Sequence, residues 1–292
     1  MIATRNRRLA VRTFILLTWL VLPLIGFSAD KTNRLPTLFL IGDSTVRNGS
    51  GKGADALWGW GSLIGQHFDL NKIRVENRAI GGRSSRTFLT EGRWDEVLKQ
   101  LQPGDFVMMQ FGHNDGGGLT GNRGRGSLKG NGEETQVITN NVGKVETVHT
   151  YGWYLRQYIA GTKAKGATPI VVSQIPRNLW KDGKVGRESG GYGKFAREAA
   201  EQGGALFLDL NELVATRYEQ IGEASVREMF FKETDHTHTT LAGAKLNAAM
   251  VAEGVRTLKD ARLAGYLLSA DQAPPSDVLT RTPKVSQPAP AK

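Results

Sequence analysis

The chain has 292 residues, a formal net charge of +10 and no cysteine. Its length suits one α/β domain with a substantial core, or at most two small domains. The absence of cysteine excludes disulfides, a cysteine nucleophile and thiolate metal sites, but it does not indicate a cellular compartment. The basic excess suits a polyanionic substrate or surface, although a solvated basic face would give the same net charge.

The first 29 residues have the layout of a secretory signal peptide. Four arginines lie between Arg5 and Arg12, the stretch Phe14–Phe27 is largely apolar, and the small residues Ser28 and Ala29 precede the polar chain. The apolar stretch contains a proline and is short for a membrane span, which favours a cleaved signal over an uncleaved anchor. Cleavage would remove the four arginines and no acidic residue, so the net charge would fall from +10 to +6. The sequence therefore predicts export to the periplasm or the extracellular space.

Apolar strands alternate with helical segments along the rest of the chain. The predicted strands are Thr37–Ile41, Ile73–Ala79, Asp105–Phe111, Thr168–Ile175 and Ala205–Leu210. The predicted helices are Trp58–Phe68, Gly92–Leu101, Val148–Lys165, Gly191–Gln202, Glu212–Ile221 and Thr239–Ala264. This alternation predicts a five-stranded parallel sheet with helices on both faces, a three-layer α/β/α sandwich in one domain at residues 30–268.

Two other segments have no clear periodicity. The stretch Gly112–Val145 is rich in Gly and Asn and shows a trace of periodicity only at Gln136–Ile138. An irregular segment of this length in a compact domain is usually functional. Residues 269–292 are rich in Pro, Ser and Thr, and we expect them to be a disordered tail.

The first predicted strand ends in the polar stretch Gly42-Asp43-Ser44. Open α/β sheets place their chemistry at the carboxyl ends of buried parallel strands. The hydroxyl of Ser44 is therefore a candidate nucleophile. Taken alone, such a stretch is more often a turn that leads into a helix N-cap.

Three later blocks lie at the same predicted edge of the sheet. Gly82 follows the second strand and can bring its backbone N–H close to a ligand, and Asn114 offers a side-chain amide after the third strand. Asp235 and His238 precede the last long helix. Their spacing lets the carboxylate fold back to the imidazole Nδ1 while Nε2 faces a serine.

These residue types supply the parts of an ester hydrolase. Such an enzyme needs a hydroxyl nucleophile, a histidine base, a carboxylate that orients the histidine, and N–H donors for the oxyanion. Ser44, His238 and Asp235 fill the first three roles. The donors would be the backbone N–H groups of Ser44 and Gly82 and the side chain of Asn114.

Other roles are open for some of these residues. His236 could act as the base in place of His238, although its closeness to Asp235 makes the fold-back awkward. A metal could instead be held by Asp235, His236, His238 and His113. The alternating pair His236-x-His238 suits some zinc sites, but the spacing marks no third ligand beside that pair.

Candidate substrate contacts lie in the same blocks. Arg83, Arg86 and His113 are near the proposed site, and the arginines could bind uronate carboxylates. The arginines could equally brace the loop through backbone carbonyls. Trp58, Trp60 and Trp180 could stack on sugar rings, with core packing expected for at least one of them.

The four blocks resemble those of the SGNH (GDSL-type) hydrolase superfamily. Longer strings resemble the rhamnogalacturonan acetylesterase family of carbohydrate esterases over about residues 36 to 255. These strings are Gly42–Val46, Gly82–Arg86, Gln110–Asp115, His149–Tyr154 and Lys165–Pro169.

The resemblance implies a flavodoxin-like sandwich and a secreted serine esterase that removes acetyl groups from rhamnogalacturonan through an acetyl-enzyme. It implies Ser44 as nucleophile, Asp235 and His238 as the rest of the triad, and Gly82 and Asn114 in the oxyanion hole. It implies no metal and no cofactor. The expected partner is an acetylated, anionic plant cell-wall polysaccharide, with no nucleic acid and no stable membrane association after signal cleavage.

Rival functions come from two classes. Within enzymes, the substrate could be acetylated xylan or a small acyl or lipid ester. Outside enzymes, the protein could be a carbohydrate-binding module without catalysis. A nucleotide-binding role is disfavoured because Gly51-Lys52-Gly53 lacks the Ser/Thr and the upstream Gly of a phosphate-binding loop.

Overall fold

The computed structural model describes residues 34–140, 142–187, 191–258, 262–269 and 271–274. The predicted signal at residues 1–29 and most of the predicted tail lie outside the described residues. The described residues from Leu35 onward belong to one compact unit. In this part of the chain, no helix combines the length and the apolar character that crossing a bilayer requires.

The described residues form a central sheet, three small antiparallel pairs and helices on both sides. The strands are β1 (Thr37–Gly42), β2 (Arg74–Asn77), β3 (Phe106–Gln110), β4 (Thr135–Thr139), β5 (Val145–His149), β6 (Thr168–Val172), β7 (Trp180–Lys181), β8 (Lys184–Val185), β9 (Leu206–Leu208), β10 (Phe231–Lys232) and β11 (Asp235–Thr239). The α-helices are α1 (Ser85–Thr90), α2 (Arg93–Leu98), α3 (Tyr151–Ala164), α4 (Tyr192–Gly203), α5 (Leu210–Ile221), α6 (Glu223–Phe230) and α7 (Leu241–Thr257).

The central sheet has five parallel strands in the spatial order β2-β1-β3-β6-β9. From β1 the chain moves outward to β2 and then returns to place β3 on the other side of β1. The order therefore reverses at β1, and this reversal is the topological switch point at which doubly wound sheets bind ligands. The predicted fold, a flavodoxin-like parallel α/β sheet, is confirmed.

Both faces of the sheet are covered, and the side chains of β1 show why. Leu38 and Leu40 point into a core that includes α5, α6 and α7. Phe39 and Ile41 point into a second core that includes α1, α2, α3 and α4. Successive side chains of a strand face opposite sides, so a strand between two helix layers must be apolar throughout. This requirement accounts for the unbroken apolar run that the sequence shows.

The predicted helix at Trp58–Phe68 is wrong. The chain forms short 3₁₀ turns at Trp60–Ser62 and Ile64–His67 instead. Gly59 lies against the backbone that follows Ser44, where an added Cβ would come within 2.3 Å of the Val46 carbonyl carbon. The glycines of this segment therefore serve a close backbone approach, which the hydrophobic spacing alone does not reveal.

The segment between β3 and α3 is more regular than predicted. It contains the β4–β5 hairpin, and β5 takes the residues from Val145 to His149 that the sequence assigned partly to a loop and partly to a helix. Helix α3 begins after Thr150, whose Oγ1 accepts a hydrogen bond from the Trp153 N–H at 3.2 Å. The last long helix ends at Thr257, earlier than predicted, and helices α1 and α6 were not predicted.

Candidate active site

A tight turn at the carboxyl end of β1 presents Ser44. The carboxylate of Asp43 is buried, and its Oδ1 accepts hydrogen bonds from the Thr45 N–H at 2.8 Å and the Thr45 hydroxyl at 2.7 Å. Asp side chains that bond their own backbone two residues on fix turns of this kind. Ser44 lies in this turn and is 8% exposed.

The turn that holds Ser44 is connected to β11, which carries His238, through the Trp58–Trp60 segment. The Trp60 N–H donates to the Thr45 carbonyl at 3.0 Å. The Trp58 N–H donates to the Thr239 carbonyl at 2.8 Å, and the Thr239 hydroxyl donates to the Trp58 carbonyl at 3.0 Å. These bonds hold β11 against the turn that contains Ser44, although the two segments are far apart in sequence.

Ser44, His238 and Asp235 form a continuous hydrogen-bonded chain. Ser44 Oγ lies 2.7 Å from His238 Nε2, and His238 Nδ1 lies 2.7 Å from Asp235 Oδ2. Asp235 Oδ1 also accepts from the backbone N–H groups of Thr237 at 2.8 Å and His238 at 2.9 Å. The structure therefore brings together the three residues that the sequence singled out.

The charge of Asp235 favours one tautomer of His238. Partial burial raises the pKa of Asp235, but the hydrogen bonds from His238 and Thr237 and the charge of His238 lower it by more, so the net shift is downward. An ionised Asp235 accepts from Nδ1–H of His238. Nε2 is then free to accept the proton of Ser44, which is the tautomer that a general base needs.

His236 occupies a different position from His238. Its side chain is exposed, and its Nδ1 contacts the Thr237 hydroxyl at 3.0 Å. The contact with Ser44 is made by His238. Among the described residues, no group of three or more His, Asp or Glu side chains is arranged to hold a metal ion.

The segments that carry Gly82 and Asn114 contact each other, and the Gly82 segment runs beside Ser44. A Cβ added to Gly81 would lie 3.6 Å from Ser44 Cβ, so the Gly81–Gly82 segment passes directly alongside the serine. Gly82 has a φ of 76°, a left-handed conformation that favours glycine. Asn114 Nδ2 donates one hydrogen bond to the Arg83 carbonyl at 2.9 Å. A side-chain amide has two N–H groups, so the second N–H remains available for another partner.

A buried carboxylate joins the two loops that carry these donors. Asp115 Oδ1 accepts from the Ser85 N–H at 3.1 Å and from the Ser127 hydroxyl at 3.0 Å. Burial raises the pKa of Asp115 to about 6, although the hydrogen bonds from Ser85 and Ser127 oppose this shift. Asp115 thus ties the loop after β3 to the start of α1.

His113 lies beneath the nucleophile turn. Its side chain is 2% exposed, and its Nδ1 lies 3.7 Å from Asp43 Oδ2, which is longer than a hydrogen bond. Burial raises the pKa of Asp43, but the neighbouring His113 and the bonds from Thr45 lower it by more, so the net shift is downward. The expectation that the imidazole of His113 contacts substrate is corrected, because the ring faces the interior.

The two predicted substrate arginines differ in their surroundings. Arg86 is 2% exposed and pairs with Glu146 through Nε–Oε1 at 2.7 Å, and its Nη1 donates to the Leu119 and Gly126 carbonyls. Its guanidinium is committed to these internal partners, which corrects the expectation that it binds substrate. Arg83 is about a third exposed and pairs with Glu91 at 2.8 Å. Arg83 therefore keeps partial access to solvent.

Sequence reasoning missed two arginines at the site. Arg125 Nη1 donates to the Gly82 carbonyl at 3.3 Å, and Arg177 Nη2 donates to the His113 carbonyl at 3.3 Å. Arg177 also contacts the Thr237 hydroxyl. The sequence did offer one signal, because Arg125 lies in the irregular segment that follows the third predicted strand.

Trp60, one of the candidate sugar-stacking residues, is buried. Its indole N–H donates to Gln110 Oε1 at 3.0 Å, as core packing predicted.

Residues 40–246 of the chain match the model of the GDSL-like Lipase/Acylhydrolase family. The chain is 35% identical to the rhamnogalacturonan acetylesterase of Emericella nidulans over 84% of this chain and 90% of that protein. It is 33% identical to the probable rhamnogalacturonan acetylesterase YesY of Bacillus subtilis over 76% of this chain and 93% of that protein.

The fold is also that of a solved structure. The crystal structure of YxiM from Bacillus subtilis superimposes with a TM-score of 0.62 at 24% identity, covering 76% of this chain and 56% of that one. The family match, the two relatives and this fold agree with one another. The chain belongs to the GDSL-like lipase/acylhydrolase family and is a carboxylic ester hydrolase.

Proposed function

We propose that this protein is a secreted serine esterase that removes acetyl groups from rhamnogalacturonan through an acetyl-enzyme intermediate. The observation that carries the proposal is the chain of contacts from Ser44 Oγ through His238 to Asp235, with both links at 2.7 Å. The names of the two similar proteins supply the substrate class.

In the first step, Ser44 Oγ attacks the acetyl carbonyl carbon while His238 Nε2 takes the hydroxyl proton. The carbonyl oxygen becomes an oxyanion. It is stabilised by the backbone N–H groups of Ser44 and Gly82 and by the free N–H of Asn114. Asp235 stabilises the imidazolium that forms and does not itself take the proton.

The tetrahedral intermediate then collapses. The bond between the carbonyl carbon and the sugar oxygen breaks, and His238 returns its proton to that oxygen, so the sugar leaves as an alcohol. The acetyl group remains on Ser44. A water molecule, deprotonated by His238, attacks the acetyl-enzyme and releases acetate with the serine hydroxyl restored.

The choice of an anionic polymer is supported by charge. The full chain carries +10, and cleavage of the proposed signal at residues 1–29 would leave +6. A basic protein raises the local concentration of a polyanion and accelerates its association. Export through the N-terminal segment belongs to the same proposal, because plant cell-wall polysaccharide lies outside the cell that would degrade it.

The decisive experiment measures acetate release by the purified protein from acetylated rhamnogalacturonan and acetylated xylan in parallel. Ser44→Ala is the test variant, and Ser50→Ala, which changes an exposed serine, is the matched control. We expect release mainly from the pectic polymer, loss of at least about a thousandfold in Ser44→Ala, and no change in Ser50→Ala.

Other outcomes would change the proposal in defined ways. Release mainly from xylan would keep the serine mechanism and overturn the substrate assignment. No Ser44-dependent release from either polymer, in a folded sample, would overturn the acetylesterase function itself. Sequencing the N-terminus of protein recovered outside the producing cells tests export separately, with a first residue near Asp30 expected.

A further inference from the structure

We propose that Arg123 and Arg125, with Arg83, form a carboxylate-binding subsite beside the oxyanion loop, and that this subsite takes a uronate carboxylate of the polymer. The inference rests on the proposed function and assigns the charged group of that substrate to named side chains. Guanidinium groups and carboxylates match in geometry as well as in charge, because two parallel N–H groups meet two oxygens.

The loop that carries Arg123 and Arg125 is closed upon itself. Its ends meet where the Ser127 N–H donates to the Asp115 carbonyl at 3.0 Å, and its limbs meet where the Gly126 N–H donates to the Gly118 carbonyl at 2.9 Å. A Cβ at Gly126 would lie 2.0 Å from the Gly117 carbonyl oxygen, so this approach requires a glycine. The segment 115–127, which we term the arginine loop, therefore has a defined backbone.

A buried guanidinium fastens the arginine loop to the body of the protein. Arg86 Nη1 donates to the Leu119 carbonyl at 3.1 Å and to the Gly126 carbonyl at 2.8 Å. The same side chain is held in place by its ion pair with Glu146 on β5. The backbone that carries Arg123 and Arg125 is thus set before substrate arrives, which lowers the entropic cost of binding.

Arg125 lies against the candidate oxyanion glycine. Its Nη1 donates to the Gly82 carbonyl at 3.3 Å, and a Cβ on Gly82 would lie 3.2 Å from the same nitrogen. The side chain is partly exposed, and a guanidinium has five N–H donors, so most of them remain for another partner. A carboxylate bound here would belong to the acetylated sugar or to its immediate neighbour.

Positive charge is in excess around this position. Glu91 Oε2 accepts from Arg83 at 2.8 Å and also from Arg93 at 2.7 Å, so one carboxylate serves two guanidinium groups. In the described part of the chain, no carboxylate pairs with Arg123 or Arg125 at salt-bridge distance. An anion at this position would therefore offset charge that the protein leaves uncompensated.

The charge environment of Arg125 agrees with this arrangement. Burial lowers its pKa, the neighbouring Arg123 and Arg83 lower it further, and the more buried Asp43 and Asp115 oppose the shift. Repulsion between like charges is relieved when an opposite charge binds between them. A neutral polymer would leave the repulsion in place, so the subsite discriminates between anionic and neutral substrates.

The test compares two forms of one substrate, acetylated rhamnogalacturonan and the same polymer with its uronate carboxylates methyl-esterified. The full-length variants are Arg123→Gln, Arg125→Gln and the double variant. Arg227→Gln, which removes an exposed arginine paired with Glu223 on α6, is the matched control. For each protein, kcat/KM for acetate release is measured on both forms, and folding is checked by thermal unfolding.

We expect the wild type to have a higher kcat/KM on the anionic polymer than on the methyl-esterified one. In the double variant this ratio should be about tenfold smaller, mainly because KM for the anionic polymer rises. Arg227→Gln should keep the wild-type ratio. Equal losses on both forms would overturn the subsite and leave Arg125 as a support for Gly82. If the wild type gives no Ser44-dependent release from the anionic polymer, the substrate assignment fails and the subsite fails with it.

Discussion

The carboxylate of Asp115 bridges two loops of the site, because its Oδ1 accepts from the Ser85 hydroxyl at 2.5 Å and from the Ser85 N–H at 3.1 Å. Ser85 opens α1 just after Gly82, and Asp115 directly follows Asn114. The two loops that carry candidate oxyanion donors therefore share one buried anion. Burial raises the pKa of this carboxyl to about 6.

This shift makes the stability of the protein depend on pH. A carboxyl with a raised folded-state pKa binds more protons in the folded than in the unfolded state between pH 4 and pH 6. Its contribution to the free energy of unfolding is therefore present below pH 4 and is lost as the pH rises through 6. The shift from 3.8 to about 6 corresponds to about 3 kcal/mol.

Asp115→Asn removes that titration. As the pH rises from 4 to 7, the wild type should lose up to about 3 kcal/mol in its free energy of unfolding that the variant does not lose. The difference, variant minus wild type, should therefore increase by that amount. Urea unfolding of both proteins across this range measures the difference. A difference that stays constant with pH would show that the carboxyl does not titrate there.

The orientation of His238 should depend on the charge of Asp235. In Asp235→Asn, the amide oxygen can still accept from the Thr237 and His238 N–H groups, but the amide nitrogen faces His238 Nδ1. That arrangement places the ring proton on Nε2, where it cannot accept from Ser44. We expect kcat to fall by about 10³ to 10⁴ while the melting temperature stays close to wild type.

Acetate release and thermal unfolding measure these two quantities. Glu233→Gln, at an exposed position in the same β10–β11 region, should leave both unchanged. A kcat of Asp235→Asn within about tenfold of wild type would contradict the assigned role.

The amide of Asn114 should act on the transition state rather than on binding. Because the oxyanion forms only during reaction, Asn114→Ala is expected to lower kcat by about 10² to 10³ with little change in KM. Steady-state kinetics on a soluble acetyl ester separate the two constants. Asn71→Ala, at an exposed position, provides the comparison. A rise in KM at constant kcat would assign Asn114 to substrate binding instead.

Arg86 is expected to contribute to stability far more than an exposed arginine does. Arg86→Met would leave the Glu146 carboxylate without its buried partner and would release two backbone carbonyls, which together should cost about 3 to 5 kcal/mol in the free energy of unfolding. Arg93→Met, which breaks an exposed pair with Glu91, should cost no more than about 1 kcal/mol.

Chemical unfolding of the two variants provides the comparison, and the double variant Arg86→Met with Glu146→Met should recover part of the loss. Equal costs for Arg86→Met and Arg93→Met would mean that the buried pair does not hold the arginine loop in place.

The sequence by itself determined the layers of the fold and the edge of the sheet at which the candidate residues lie. The apolar run Leu38–Ile41 predicted a strand covered on both faces, because period and burial are local properties of a chain. The blocks at Ser44, Gly82 and Asn114 could be placed at one edge, since parallel strands end on the same side of a sheet. The sequence also indicated the family, because those residues recur at characteristic positions along the chain.

The tertiary structure decided which groups meet. The sequence favoured His238 as the base but left His236 open, and the pairing of β11 with the Trp58 segment aims His238 at Ser44. Likewise, the sequence offered Arg83 and Arg86 as substrate contacts and did not single out Arg125. Arg86 is buried by an ion pair with Glu146, 60 residues further along the chain, whereas Arg125 is held at the Gly82 carbonyl. Exposure and partnership depend on residues distant in sequence, and only the folded chain brings these residues together.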